Sequence, residues 1–123
     1  MAAPVAILWD GPLAWTERLA LAAWTAAGHQ VTLFGAVRPD ALPAGIDWAD
    51  VAPLAPQAAP GDRAGVARLA LMARGYVSVE PDVIALAPLP DGPILARARP
   101  GEEAPGTAVL RLDPAMLAVA QAA

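Results

Sequence analysis

The hydrophobic positions at the start of the chain follow the order strand, helix, strand. Residues 4–9 form a continuous apolar run that ends at an Asp-Gly-Pro turn, as expected for a strand buried on both faces of a parallel sheet. Residues 13–27 have helical spacing, Gly28 supplies the stop, and residues 30–35 form a second apolar run. Because such a crossover is right-handed, the pattern predicts two parallel neighbouring strands joined by a helix.

One side of the predicted first helix carries apolar side chains at helical spacing. These are Trp15, Leu19, Ala22, Ala23 and Ala26. Apolar residues three and four positions apart share one face of a helix, so the pattern predicts that this side packs on the sheet. Glu17 and Arg18 lie on the same helix, where we expect a surface charge pair or a role in capping the helix end.

The middle of the chain is rich in Pro and Ala and gives a weaker pattern. Residues 36–59 are predicted to be irregular, with one short apolar piece at 46–51 and a single helical turn. Asp62 as the N-cap and Gly75 as the stop define a second helix over 62–74. Its expected buried stripe consists of Val66, Leu69, Ala70 and Ala73.

Short apolar runs in the last third of the chain predict further strands. Residues 76–79 and 83–86 are strand candidates on either side of an acidic turn. Residues 94–98 and 107–112 are expected to form a closing pair. A terminal helix then follows, with Asp113 as its N-cap and Pro114 at its first position.

The alternation of strands and helices predicts an α/β fold, in which a mostly parallel sheet has helices on both faces. The 123 residues are the length of one domain, and the chain shows no internal repeat. We therefore expect residues 1–123 to form a single domain.

Composition narrows the range of partners. The chain has no Cys, which excludes a disulfide framework and a thiolate metal site. A formal charge of −4 argues against a nucleic-acid partner, because the basic residues are scattered along the chain. No apolar run approaches the roughly 20 residues that span a bilayer, so we expect no transmembrane segment and a cytoplasmic location. The apolar content of 57% favours a protein partner that covers part of the surface.

The first 34 residues also resemble a known family. Residues 9–13 read Trp-Asp-Gly-Pro-Leu, Glu17 follows within the helix, and residues 28–31 read Gly-His-Gln-Val. This sequence pattern is similar to that of bacterial sugar transferases with the DXD motif, a group related to fungal mannosyltransferases. The resemblance implies a Rossmann-like domain of GT-A type, here in truncated form. It also implies that three residues lie beside a nucleotide sugar, namely Trp9, Asp10 and Gly11.

Residues 79–83 stand where that family has its DXD motif. They read Val-Glu-Pro-Asp-Val, whereas members of the family read Val-Asp-x-Asp-Val. Two carboxylates at this spacing can hold a divalent cation that bridges the phosphates of a nucleotide sugar. The resemblance therefore marks Glu80 and Asp82 as ligands of Mn²⁺ or Mg²⁺, although Glu replaces the first Asp and Pro81 stiffens the turn. A solvated acidic turn is the alternative interpretation.

The helix before this motif departs further from the family. Members carry a Ser-Asp-x-x-Arg segment whose Asp and Arg contact the nucleotide and the donor sugar. Counted without gaps, these positions fall on Ala64 and Ala67, which offer no polar group. A short gap would place them on Asp62 and Arg68 instead. The apolar framework of the family is therefore better preserved than its polar contacts.

These departures predict a degenerate glycosyltransferase-like protein without catalysis, which acts as a binding or accessory subunit of a larger bacterial assembly. On this hypothesis, the chain has no catalytic residue, needs no cofactor and binds a protein partner, with or without a nucleotide sugar. The alternative is a minimal metal-dependent glycosyltransferase that uses Asp10, Glu80 and Asp82 to hold Mn²⁺ or Mg²⁺ and a nucleotide diphosphate sugar. A third hypothesis is a remnant that binds carbohydrate without a metal.

The single histidine and the four tryptophans have structural as well as functional interpretations. His29 follows a helix stop, where a local structural role competes with a chemical one. Tryptophans are more often core anchors than ligand platforms. For Trp9 and Trp48, the alternative is that they stack on a base or lie in a protein interface.

Overall fold

The computed structural model describes residues 2–56, 61–92, 94, 109–112 and 114–122. Its elements are β1 (Val5–Leu8), α1 (Trp15–Ala26), β2 (Val31–Gly35), β3 (Ile46–Asp50), α2 (Arg63–Ala73), β4 (Val77–Val79), β5 (Val109–Leu110) and α3 (Pro114–Ala122). A 3₁₀ turn, Ala52–Leu54, follows β3. Within these ranges, none of the helices combines the length and the apolar character needed to cross a bilayer.

The described strands form one sheet in the spatial order β3-β2-β1-β4-β5. β1 pairs in parallel with β2 and with β4, and β2 pairs in parallel with β3. β5 joins β4 as an antiparallel edge strand. The predicted parallel pairing of the first two strands is confirmed, with Val5 opposite Val31 and Leu8 opposite Phe34.

The core lies on both faces of the sheet, because successive side chains of a strand point to opposite sides. On one face, α1 contributes to a buried cluster of Val5, Ile7, Leu21, Trp24, Val31, Leu33, Ile46, Val77 and Val79. On the other face, α2 contributes to a cluster of Ala6, Phe34, Val51, Leu54, Ala67 and Leu71. The predicted α/β class and mostly parallel sheet are confirmed.

The side of α1 that packs on the sheet is not the predicted side. Ala20, Leu21 and Trp24 are buried, whereas Trp15 and Leu19 are 75% and 44% exposed. Apolar residues occupy both sides of this helix, so helical spacing did not distinguish the core face from the outer one. The prediction that Trp15 and Leu19 belong to the core is wrong.

The start of α1 agrees with the sequence pattern more closely than the buried faces of α1 and α2 do, whereas Asp62, at the N-cap of α2, makes no side-chain capping hydrogen bond. At the start of α1, Glu17 accepts hydrogen bonds from the Thr16 hydroxyl and, at 2.9 Å, from the Ala14 N–H. These two bonds lower the pKa of Glu17, and the predicted capping role is confirmed. In α2, the buried side chains are Ala67, Leu71 and Met72. Of the predicted stripe, Ala70 packs against the core and Leu69 is half-buried, whereas the prediction is wrong for Val66 and Ala73, which are exposed.

Two strand predictions are corrected. Residues 46–50, predicted to be irregular, form the edge strand β3, whose backbone pairs with β2. Residues 83–86, predicted to be a strand, form no strand. Of the predicted closing pair, Ile94 forms an antiparallel bridge with Arg111, and Val109–Leu110 forms β5. The remainder of 94–98, residues 107–108 and Asp113 lie outside the described residues.

Gly35, at the end of β2, has no room for a side chain. A Cβ built on Gly35 would lie 2.3 Å from the backbone oxygen of Trp9 and 2.9 Å from Oδ1 of Asp10. Because the first obstacle is backbone, we expect Gly35→Ala to lower the free energy of unfolding by about 1–3 kcal/mol in urea denaturation followed by circular dichroism.

Gly65, inside α2, provides a control of opposite sign. A Cβ at this position meets nothing within 4 Å, so Gly65→Ala is expected to raise the stability by up to about 1 kcal/mol through helix propensity. If both alanine variants unfolded at the same urea concentration as the original chain, the close approach of β1 and β2 at Gly35 would be contradicted.

Candidate functional site

The residues predicted to form a site lie at the carboxyl edge of the parallel strands. Trp9, Asp10 and Gly11 follow β1, and Glu80 and Asp82 follow β4, its neighbour in the sheet. The order of strands along the chain reverses between β1 and β4, and open α/β sheets bind ligands outside such a point. The fold therefore brings two distant parts of the sequence to the position where this architecture places a ligand.

Asp10 joins the ends of β1 and β2. Its Oδ1 accepts a hydrogen bond of 2.6 Å from the backbone N–H of Ala36, and the preceding N–H, of Trp9, donates to the carbonyl of Phe34 at 2.9 Å. The side chain nevertheless lies at the surface. Asp10 thus orders the edge of the sheet, and one of its oxygens is already engaged in doing so.

A cleft of about 470 Å³ opens beside Asp10, on the α2 side of the sheet. Its lining consists of Leu8, Trp9, Asp10, Phe34, Gly35, Val51, Arg63, Ala64 and Arg68. Arg63 and Arg68 come from the first two turns of α2, whose N-terminus points to the carboxyl edge. Two guanidinium groups and a helix N-terminus against one carboxylate favour an anionic ligand. We call this space the arginine cleft.

The lining of the arginine cleft can be compared with the two alignments of α2 to the resembling family, the ungapped one and the gapped one. Ala67 is fully buried, and therefore its position cannot contact a ligand. Ala64 and Arg68 line the cleft, and Asp62 directly precedes α2. Of the charged residues in these two alignments, Arg68 is the one that belongs to the described lining of the cleft. Arg63 was not predicted from the sequence, although its place next to a helix N-cap was a usable signal.

The acidic turn follows β4 at the same edge of the sheet but is not part of the described lining of the arginine cleft. The N–H of Val83 donates to the carbonyl of Glu80 at 3.2 Å and closes the turn, which leaves Glu80 half-buried and Asp82 exposed. Neither carboxylate is among the described residues that line the arginine cleft. Within the described part of the chain, no three His, Asp or Glu side chains are grouped so that they could hold a metal ion.

A second cleft, of about 330 Å³, lies on the α1 side of the same edge. It is formed by the loop after β1, which includes Gly11, and by the loop after β2, and Arg18 and Arg38 line it. Gly11 has a φ of 110°, in a region that favours glycine, so this loop depends on a residue without a Cβ. The basic residues are scattered along the sequence, but the fold brings four arginines of the described chain to one edge of the sheet.

Two of the tryptophans carry buried indole N–H groups without a hydrogen-bond partner in the described structure, Trp9 and Trp48. Both rings pack against the core on the α1 side. Trp9 also lines the arginine cleft, so it serves as a core residue and as part of the site wall. Buried donors of this kind are uncommon in folded proteins.

Comparison of the chain with known protein families, with curated proteins and with solved structures finds no match.

Proposed function

We propose that this chain is a glycosyltransferase-like domain that binds the diphosphate of a nucleotide sugar without transferring the sugar, and that it acts as a binding or accessory subunit of a larger bacterial assembly in the cytoplasm. The fold we propose is a reduced GT-A fold. It is supported by the order β3-β2-β1-β4, with an antiparallel strand beside β4, and by the resemblance of residues 9–34 to DXD-motif sugar transferases.

The observation that carries this proposal is the lining of the arginine cleft, which contains two arginines and a single carboxylate, that of Asp10. A metal-dependent transferase holds its cation between carboxylates and the two phosphates of the donor. Here Arg63 and Arg68 lie in a cleft whose described lining excludes Glu80 and Asp82. A diphosphate in that cleft would be neutralised by guanidinium groups and by the N-terminus of α2, without a bridging metal.

The subunit role rests on a separate feature, the large apolar side chains that stay exposed. On α1, Trp15 and Leu19 are 75% and 44% exposed, and Leu86, which lines a groove beside the end of α1, is 98% exposed. Exposed apolar side chains that neighbour one another are typical of surfaces that bind other proteins.

Calorimetric titration with UDP in the presence of EDTA tests the binding proposal. We expect saturable binding that does not require a divalent metal, because the charge of the diphosphate is met by arginine. In the Arg63→Ala/Arg68→Ala variant, we expect the dissociation constant to rise about tenfold or more, since hydrogen bonds to charged groups contribute about 1.5–3 kcal/mol.

Two matched variants make the titration specific. Arg74→Ala removes an exposed arginine from the opposite end of α2 and is expected to leave UDP binding unchanged. Glu80→Ala/Asp82→Ala is likewise expected to leave it unchanged. Binding that needs Mn²⁺ and disappears in the Glu80→Ala/Asp82→Ala variant, together with turnover of a UDP-sugar, would instead establish the metal-dependent transferase. The absence of UDP binding under every condition would refute the ligand proposal.

A further inference from the structure

The outer face of α1 is an apolar stripe that the core leaves uncovered. Trp15 and Leu19 are 75% and 44% exposed, and Ala22 and Ala26 continue the same line at the surface. The intervals between these four residues alternate between four and three, which is the spacing of the contact seam in a pair of packed helices. We call these four residues the α1 seam.

A groove runs beside the C-terminal half of the α1 seam. It has a volume of about 320 Å³, with Ala23, Ala26 and Ala27 as its floor and the segment 85–88 as its wall. Within that wall, Leu86 is 98% exposed. The two ends of the seam are therefore different in shape, with a protruding indole at the start of α1 and an apolar hollow at its end.

We propose that the α1 seam binds a second copy of this chain, with the two α1 helices antiparallel. In that arrangement, Trp15 enters the groove beside the partner's Ala26, and Leu19 lies on the partner's Ala22. Each large side chain then meets a small one, and the same two contacts recur around a two-fold axis. A parallel pair would instead place Trp15 against the partner's Trp15 and leave both grooves unfilled.

The charges along α1 favour the antiparallel arrangement. The first turn of α1 carries an acidic residue, Glu17, which suits the positive end of the helix dipole, but the last turn carries no basic residue to suit the negative end. An antiparallel partner places Arg18 beside the other helix's last turn, where the carbonyl groups carry partial negative charge. Arg18 then supplies the cation that the end of the other α1 helix lacks.

The area of the seam is sufficient for a specific contact. An aromatic side chain buries about 150–250 Å². Trp15, Leu19, Leu86 and the alanines between them are present on both copies, so the pair buries on the order of 1,000 Å² in total, the size of weak, transient interfaces. The interface is thus expected to be reversible on dilution.

This inference names the partner for the protein-binding role proposed above and rests on that role, but not on the binding of UDP. Arg63 and Arg68 line a cleft on the opposite face of the sheet from α1. The two proposals can therefore fail separately.

Sedimentation of the full chain over a dilution series tests the pairing. We expect a species of twice the 12.5 kDa chain mass that dissociates on dilution. Trp15→Ser and Ala26→Arg are each expected to raise the dissociation constant by about thirtyfold or more, the scale of an interface hot spot. Val119→Ser, a change to another largely exposed apolar side chain on α3, is expected to leave it unchanged.

Three outcomes would overturn the proposal. They are a chain that stays monomeric at every concentration, a dimer that persists in both Trp15→Ser and Ala26→Arg, and a dimer that Val119→Ser disrupts equally. Circular dichroism and UDP titration of each variant separate loss of pairing from loss of folding or of the ligand site. Oxidation of an Ala26→Cys variant checks direction, because two antiparallel positions 26 lie about 16 Å apart along the helix axis, so a disulfide between them would establish a parallel pair.

Discussion

Replacing Trp24 with alanine is expected to remove about 3–5 kcal/mol from the free energy of unfolding, a large part of the stability of a small domain. Trp24 is only 2% exposed, so its loss leaves a cavity between α1 and the sheet. Its Nε1–H also donates to the carbonyl of Val83 at 3.0 Å, and its ring lies edge-on to that of His29, with 5.5 Å between the ring centres. Alanine removes the packing, the hydrogen bond and the ring contact together.

Urea denaturation followed by circular dichroism measures this loss without relying on tryptophan fluorescence. Trp24→Phe keeps an aromatic ring and removes the hydrogen bond to Val83, so it is expected to cost about 1–2 kcal/mol. Val37→Ala, at a side chain that is 71% exposed, is expected to change the stability by less than about 0.5 kcal/mol. If Trp24→Ala and Val37→Ala had equal effects, the buried position of Trp24 would be refuted.

The second large effect is expected at His29. The side chain is 3% exposed, and each ring nitrogen has a backbone partner. Nε2 accepts the N–H of Leu89 at 3.0 Å, so the ring proton lies on Nδ1, which donates to the carbonyl of Ala3 at 2.7 Å. His29→Leu leaves both backbone groups without these partners, and we expect a loss of about 2–4 kcal/mol of stability.

Amide hydrogen exchange gives this prediction a local readout. The N–H of Leu89 is expected to exchange much faster in His29→Leu than in the original chain, because its acceptor has been removed. Gln30→Ala changes the neighbouring exposed residue, whose side chain makes only a 3.4 Å contact with Asp47, and serves as the control. Unchanged exchange at Leu89 would contradict the structural role of His29.

Trp24 and His29 bind backbone groups at and just beyond residues 83–86, the segment that does not form the predicted strand. A strand needs neighbours for its backbone N–H and C=O groups. In this segment, the carbonyl of Val83 and, beyond it, the N–H of Leu89 find partners in side chains 59 and 60 residues earlier in the sequence. The apolar run could be seen in the sequence, whereas these side-chain partners could not.

The strand β3, in contrast, forms where the sequence predicted an irregular segment. Residues 46–50 lie in a Pro- and Ala-rich part of the chain, and two of them, Asp47 and Asp50, are acidic. The strand forms because the free edge of β2 offers a row of backbone partners to it, and because Ile46 packs into the core. Local propensity was overridden by pairing, which depends on a neighbouring strand and not on the segment itself.

The candidate site was only partly predictable, because part of it depends on contacts between distant segments. Asp10 was identified from its place at the end of the first apolar run and Glu80 from the resemblance of residues 79–83 to the DXD motif, and parallel pairing of β1 with β4 brings both to one edge. The arginine cleft was not identified, because Arg63 and Arg68 lie more than fifty residues from Asp10 in the sequence. Only the packing of α2 on the sheet brings their side chains to the same space.

The sequence by itself determined the kind and approximate limits of most elements, because apolar runs, helix spacing and stops such as Gly28 and Gly75 act over a few residues. It also determined that the first two strands would be parallel neighbours, since a short helical crossover allows little else. The tertiary structure decided which side of α1 meets the core and which groups share the carboxyl edge. Those outcomes depend on contacts between distant segments, and a helix such as α1, with apolar residues on both sides, acquires an inner and an outer face only when the sheet is present.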